Sequence, residues 1–249
     1  MLLQRDVAPG VHRVEDANVS WCLVEEDGGR GLTVVDAGVP TSWRSLHDAL
    51  VELGRTPADL RALVLTHAHF DHVGIAERLR TTYGLPVHVH VGDEPLTRHP
   101  MSYAHERPRA LYLVRPKAVP YGAAFLANRA FFAPAIGAVT TFRDGDVLDV
   151  PGRPRVVFSP GHTDGHVALH LPDRDVLIAG DAVVTLDPYT GRRGPRLVAR
   201  AATADTARSL ASLDVLAATG AGTVIVGHGA PWTGGVAELC GLASRAGAA

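Results

Sequence analysis

Lysine is almost missing from this chain: of its 24 basic residues, only Lys117 is not an arginine. The arginines are scattered, no basic run occurs, and the formal net charge is −2, which argues against a face built to hold a polyanion. Arg192, Arg193 and Arg196 come nearest to a cluster and read as a solvated loop. Cysteine is equally scarce. Cys22 and Cys240 lie far apart, and two cysteines in 249 residues make no disulfide framework. No apolar run reaches the roughly 18 residues of a membrane span. The opening residues Met1 to Asp6 lack the basic-then-apolar order of a signal peptide. From these absences follow the expectations of a cytoplasmic location and of neither nucleic acid nor membrane as a partner. The length suits one domain over residues 1–249.

What the chain has in excess is histidine at one place. His67-Ala68-His69-Phe70-Asp71-His72 puts four metal-capable side chains into six residues, directly after the apolar run Ala62-Leu63-Val64-Leu65. Imidazoles and a carboxylate crowded in this way repel and desolvate one another unless a cation shares them. Three later residues keep similar company: His162 after Pro160-Gly161, Asp181 after Ala179-Gly180, and His228 after Val226-Gly227. Each follows an apolar or β-branched run and a glycine, the setting of a strand end that opens into a tight loop. Strand ends of this kind can converge on a single rim.

With these residues in place, the chain resembles the metallo-β-lactamase superfamily over nearly its whole length. That family's pattern is an early Asp after a strand, an H-x-H-x-D-H hexad, a later His, a bridging Asp and a final His. Here it reads Asp36, the hexad, His162, Asp181 and His228, in that order. The resemblance implies that His67, His69 and His162 hold one metal ion. It implies that Asp71, His72 and His228 hold a second, with Asp181 shared between them. Asp36 is expected to orient a histidine through a hydrogen bond.

Neutral imidazoles suit zinc, and seven ligands with one shared fit two ions about 3.5–4 Å apart with a water ionised near neutral pH. Two zinc ions are therefore expected, with iron or manganese as alternatives because N/O sites select weakly among metals. Structural zinc sites lean on cysteine and are closed, so a catalytic role is favoured over a metal-stabilised binding protein.

Strands are predicted near Val11–Val14, Ser20–Val24, Leu32–Val35, Ala62–Leu65 and Val87–Val91, then Val147–Val150, Arg155–Phe158, Val167–Leu171, Val176–Ala179 and Thr223–Val226. Helices are predicted from Ser42 to Gly54, Val73 to Tyr83, Thr203 through Leu216, and Gly235 to Ala246. Strand clusters alternating with helices suggest an α/β fold of two packed sheets with helices outside. The resemblance implies the four-layer αββα sandwich in particular. Asp93 to Ala138 holds Tyr103, Tyr112, Tyr121, Phe125, Phe131 and Phe132 among six prolines that forbid one long helix. That segment is expected to be a lid over the site or a contact with a second copy in a homodimer.

The expected function is a dinuclear metal-dependent hydrolase that cleaves an ester, lactone or thioester of a small hydrophobic substrate. Asp71 is the expected catalytic residue, carrying the proton to the leaving group. Phosphodiester cleavage on the same two ions is the alternative. Relatives that open acyl-homoserine lactones place a tyrosine three residues beyond the bridging Asp. This chain has Val184 there, and Tyr189 is the nearest tyrosine.

Overall fold

Period-two alternation in the strands decides the architecture, because successive side chains leave a strand on opposite faces. The computed structural model describes residues 1–113 and 115–249. Seven strands form the first sheet: β1 (Leu2–Ala8), β2 (Val11–Asp16), β3 (Val19–Glu25), β4 (Leu32–Val35), β5 (Leu60–Val64), β6 (Val87–His90) and β7 (Thr140–Phe142), in that spatial order. The first four are joined antiparallel, and β4 through β7 run parallel. The parallel links are made through α1 (Ser42–Glu52), between β4 and β5, and α2 (Ala76–Tyr83), between β5 and β6. The second sheet contains β8 (Arg155–Phe158), β9 (Val167–Leu171), β10 (Val176–Gly180) and, after further elements, β13 (Thr223–Val226), ordered β13-β10-β9-β8. A separate hairpin pairs β11 (Val184–Asp187) with β12 (Arg192–Arg196). Two helices follow it, α6 (Thr206–Ala217) and α7 (Val236–Ala246).

Three apolar layers account for four layers of structure. On β3, Trp21 and Leu23 point into a core shared with Leu46 and Leu50 of α1 and Leu79 of α2. The intervening Cys22 and Val24 point the other way, against Val156, Leu169, Leu171 and Ile178 of the second sheet. On β10, Val176 and Ile178 belong to that inter-sheet core. Leu177 and Ala179 instead meet Leu213, Leu216 and Leu239 of the outer helices. Central strands are therefore apolar on both faces, which explains their uninterrupted apolar runs. The arrangement is the αββα sandwich.

Several boundaries differ from expectation. Val147 makes only an isolated bridge to Arg155, so Val147–Val150 is no strand. The α6 helix starts at Thr206 with Asp205 as its cap, whose side chain accepts from the Arg208 N–H at 2.9 Å, and not at Thr203. The cap of α1 is Thr41, while Ser42 Oγ accepts from the Val39 N–H. The half-exposed edge strand β1, the three-residue β7 and the β11–β12 hairpin have weak apolar alternation and escape sequence reading. Between β6 and β7, residues 93–138 form three short helices, α3 (Glu94–Thr97), α4 (Ala110–Leu113) and α5 (Val119–Ala127). No helix among the described residues is long and apolar enough to cross a membrane.

Candidate metal centre

Every element that carries a candidate ligand ends at one edge of the sandwich. The β4 end leads to Asp36, the β5 end to the hexad, the β8 end to His162, the β10 end to Asp181 and the β13 end to His228. Backbone hydrogen bonds tie these ends together, within the sheets from Asp36 N–H to Val64 O at 2.9 Å and from Gly227 N–H to Gly180 O at 2.8 Å, and between the sheets from Val167 N–H to Thr66 O at 2.9 Å. Gly227 is glycine because a Cβ there would lie 2.0 Å from Asp181 Oδ1.

All seven predicted side chains meet at that edge, and all are buried. Ligand atoms of His67, His69 and His162 lie within 4.8 Å of one another, as do those of Asp71, His72 and His228. Asp181 stands between the two sets. Its Oδ2 is 3.5 Å from His162 Nε2 and 3.2 Å from His228 Nε2, and its Oδ1 is 3.7 Å from His72 Nε2.

Hydrogen bonds behind the rings fix which nitrogen faces inward. Asp36 Oδ2 accepts from His72 Nδ1 at 3.0 Å, and Asn18 O accepts from His228 Nδ1 at 2.8 Å. Thr66 Oγ1 gives its proton to Asp36 Oδ2 at 2.8 Å, so it accepts from His67 Nδ1 at 3.0 Å. In all three rings Nδ1 is engaged and Nε2 is aimed at the centre, the way carboxylates and carbonyls behind metal-binding imidazoles orient them. Asp36 sits at φ +60° and also accepts from the Thr66 N–H at 2.8 Å. Its oxygens are spent on aiming others.

Burial pushes the His67 and His69 rings well below the usual imidazole range and His162 down to about 3, in each case against or with neighbouring charges. Burial also works against charge on His72 and His228. There the Asp181, Asp71 and Asp36 carboxylates win, raising His72 to about 9, and Asp181 and Asp71 lift His228 well above its ordinary value. The first set thus offers three neutral lone pairs. In the second, two protons balance carboxylates that a cation would otherwise neutralise.

Three buried polar atoms at the centre have no hydrogen-bond partner, Nε2 of His67 and of His72 and Oδ1 of Asp181, while His69 Nδ1 and His162 Nε2 face each other at 2.9 Å. Buried polar groups are paired almost without exception, and a cluster of unpaired ones calls for a missing partner. The donor set of imidazole and carboxylate fits a divalent metal. The cluster fits a metal site.

Other side chains brace or flank the centre, Asp93 among them without any signal in the sequence. Asp93 accepts from the Ala68 N–H at 2.9 Å, from Thr163 Oγ1 at 2.8 Å and from the Gly165 N–H at 2.7 Å, bracing the hexad loop against the His162 loop. His166 accepts from the Asp181 N–H at 3.0 Å and so donates from Nδ1 to Ser159 Oγ at 2.9 Å. Tyr103 lays its ring 4.0 Å from that of His69 and shares a 2.8 Å hydrogen bond with Tyr189. Val184 is buried in β11. His88 and His90 stay away from the centre, with His90 stacked on Phe158 at 4.6 Å.

The sequence model of the metallo-beta-lactamase superfamily matches residues 14–228. The chain belongs to that superfamily. Among curated metallo-beta-lactamase relatives, a probable metallo-hydrolase of Bacillus subtilis, YflN, is 28% identical, covering 92% of this chain and 87% of its own. The N-acyl homoserine lactonase AttM of Rhizobium radiobacter is also 28% identical, over 88% of this chain and 78% of its own. A solved metallo-beta-lactamase family protein of Thermus thermophilus superposes with a TM-score of 0.69 at 26% identity, covering 96% of this chain and 79% of that one. Another solved protein, TTHA1623 in a di-iron-bound form, gives 0.61 at 28% identity over 92% and 94% of the two chains.

Proposed function

We propose that this protein is a dinuclear zinc hydrolase that cleaves ester, lactone or thioester bonds in small hydrophobic substrates. One observation carries the reading: the Asp181 carboxylate lies between two sets of three ligand groups, within 3.7 Å of an imidazole nitrogen of each. In it, His67, His69 and His162 hold the first ion, Asp71, His72 and His228 the second, and Asp181 touches both. Bound there, the two ions would lower the pKa of a water and polarise the carbonyl it attacks. The lactonase relative supports an acyl substrate, and the di-iron relative makes iron the competing metal.

The chain's own residues supply the rest. Asp71 has its Oδ2 3.4 Å from His228 Nε2 and is held below the usual carboxylate range by His228 and His72 despite burial. Ionised at neutral pH, it accepts the proton of the attacking water and passes it to the leaving oxygen or sulfur. Residues 93–138 serve as the lid: Tyr103 covers His69, and the Phe125 ring lies 6.3 Å from that of His228. Tyr103 lines two cavities, one of about 430 Å³ that reaches His162 and one of about 340 Å³ that reaches Phe70 of the hexad.

The test is metal analysis together with a panel of p-nitrophenyl esters, lactones, thioesters and bis-p-nitrophenyl phosphate. Two zinc ions per chain and turnover of the acyl substrates are expected. Phosphodiester cleavage alone, or a metal-loaded protein inert towards all four, would overturn the reading.

Uptake of metal should also expel protons. His72, at about 9, and His228, raised well above the usual imidazole range by Asp181 and Asp71, are protonated at neutral pH in the metal-free protein and must be neutral to bind. Titrating zinc in buffers of different ionisation enthalpy should show about two protons released at pH 7. Affinity should fall roughly tenfold per proton for each unit of acidification. Zinc affinity that is flat between pH 6 and 8 would contradict this pairing of His72 and His228 with the carboxylates.

A further inference from the structure

The smaller of the two cavities has an apolar wall with one cation set into it. Phe70, Met101, Tyr103, Tyr112, Phe125 and Leu126 contribute carbon surface, and Arg109 contributes the charge. The guanidinium carbon of Arg109 stands 4.0 Å from the centroid of the Tyr103 ring, and that ring is the one packed on His69. Nη2 donates to Met101 O at 3.1 Å. The Nε atom is buried and has no hydrogen-bond partner. Ion-paired arginines among the described residues are Arg13, Arg30, Arg44, Arg55, Arg80, Arg174, Arg200 and Arg208, and Arg109 is not one of them.

Stacking on Tyr103 explains where the guanidinium plane lies, but it leaves Arg109, half-buried as a residue, without a carboxylate partner beside a mainly apolar wall. A partly desolvated guanidinium beside carbon surface gains from meeting an anion. Arginine presents its donors as a fixed fork that suits a carboxylate. The apolar wall beside it suits a hydrocarbon chain, and its volume lies at the small-ligand end of ordinary pockets.

We infer that this cavity takes an apolar chain ending in a carboxylate, with Arg109 as the partner of the acid. Resting on the hydrolase reading above, the inference makes the preferred substrate an acyl compound with an acidic group remote from the scissile bond. The chain then runs from Arg109 past Tyr103 and Phe70, and the reacting carbonyl reaches the histidines beside them.

Steady-state kinetics on the metal-loaded full chain decide it, using p-nitrophenyl octanoate and the p-nitrophenyl half-ester of suberic acid, which differ only in the terminal carboxylate. The expected preference in kcat/KM for the half-ester is about tenfold, the scale of one charge-assisted hydrogen bond. In Arg109→Met the preference should collapse to about one, and in Arg109→Lys part of it should return. Because the readout is a ratio within each variant, loss of folded enzyme does not imitate it. Absence of the preference in the parent, or its survival in Arg109→Met, overturns the inference.

A binding arm separates this idea from the hydrolase reading. Calorimetric titration of octanoate and octanamide into the parent and Arg109→Met should show the octanoate advantage shrinking about tenfold in the variant. If neither ester is turned over while that difference persists, the hydrolase reading fails and the acid-binding cavity stands. Turnover of both esters without any dependence on Arg109 removes the acid-binding cavity and leaves the hydrolase reading intact.

Discussion

Asp181→Asn is expected to lower kcat/KM towards any acyl substrate by about three orders of magnitude and to reduce bound metal from two ions per chain to one or none. The substitution preserves shape and packing and removes only charge. In the parent, Asp181 is held well below the usual carboxylate range by His228 and His72 despite complete burial, so the charge is present at neutral pH. An amide would instead point an N–H₂ group at imidazole nitrogens 3.2 to 3.7 Å away, or leave them facing a neutral oxygen. Plasma emission spectrometry and kinetics on the same preparation read both effects, with far-ultraviolet circular dichroism as the control for folding. A variant that kept two metals and most of its rate would remove Asp181 from the shared position, and the two-ion reading with it.

Gly74→Ala is expected to be the most damaging single methyl group in the molecule's first half. A Cβ at Gly74 would lie 2.2 Å from the carbonyl carbon of Val39, 2.4 Å from its Cα and 2.5 Å from the nitrogen of Pro40. All three are backbone atoms, so no rotamer change relieves the clash. The segment is also pinned from within, because the Gly74 N–H donates to Gly38 O at 2.7 Å and the Ile75 N–H to Ala37 O at 3.1 Å. Overpacking against fixed backbone should cost about 3 kcal/mol or more, a large part of a domain's usual 5–15 kcal/mol. Gly54→Ala gives the contrast: φ is +66° with no atom within 4 Å of the added carbon, so only backbone strain of about 1–2 kcal/mol is expected. Urea midpoints of the two variants measure the difference. Equal midpoints would mean that the 38–40 turn yields to Gly74, and that the coupling between that turn and the hexad loop is loose.

The metal-capable residues were legible in the sequence because each sits in a local signature, an apolar strand followed by glycine or by the hexad itself. The central strands were legible for the same reason: β5, β9, β10 and β13 are buried on both faces and read as apolar runs. What sequence could not supply is what lies behind the ligands. Asp93 has no local signature at all, since its three donors come from residues 68, 163 and 165 on two other loops. Thr66 looks like an ordinary strand residue until Asp36 is brought beside it. The edge strand β1 was hidden because its largely exposed residues alternate weakly, and β7 because three residues carry no periodicity. Val147–Val150 had the composition of a strand, yet the backbone there bends through Gly152 at φ +81° and pairs only once.

The backbone carbonyl of Asn18 receives the His228 ring from 210 positions away, and the Ser20 N–H reaches Gly227 O at 2.8 Å. Such sequence-distant contacts are the slowest kind to form, because the loop they close must be ordered before it is rewarded. When only the first 200 residues have emerged from the ribosome, His67, His69 and His162 can gather while His228 is not yet free to join them. Loading during synthesis would therefore be confined to one half of the centre, and the nucleotides that encode the last strand set the moment at which a second cation can be trapped.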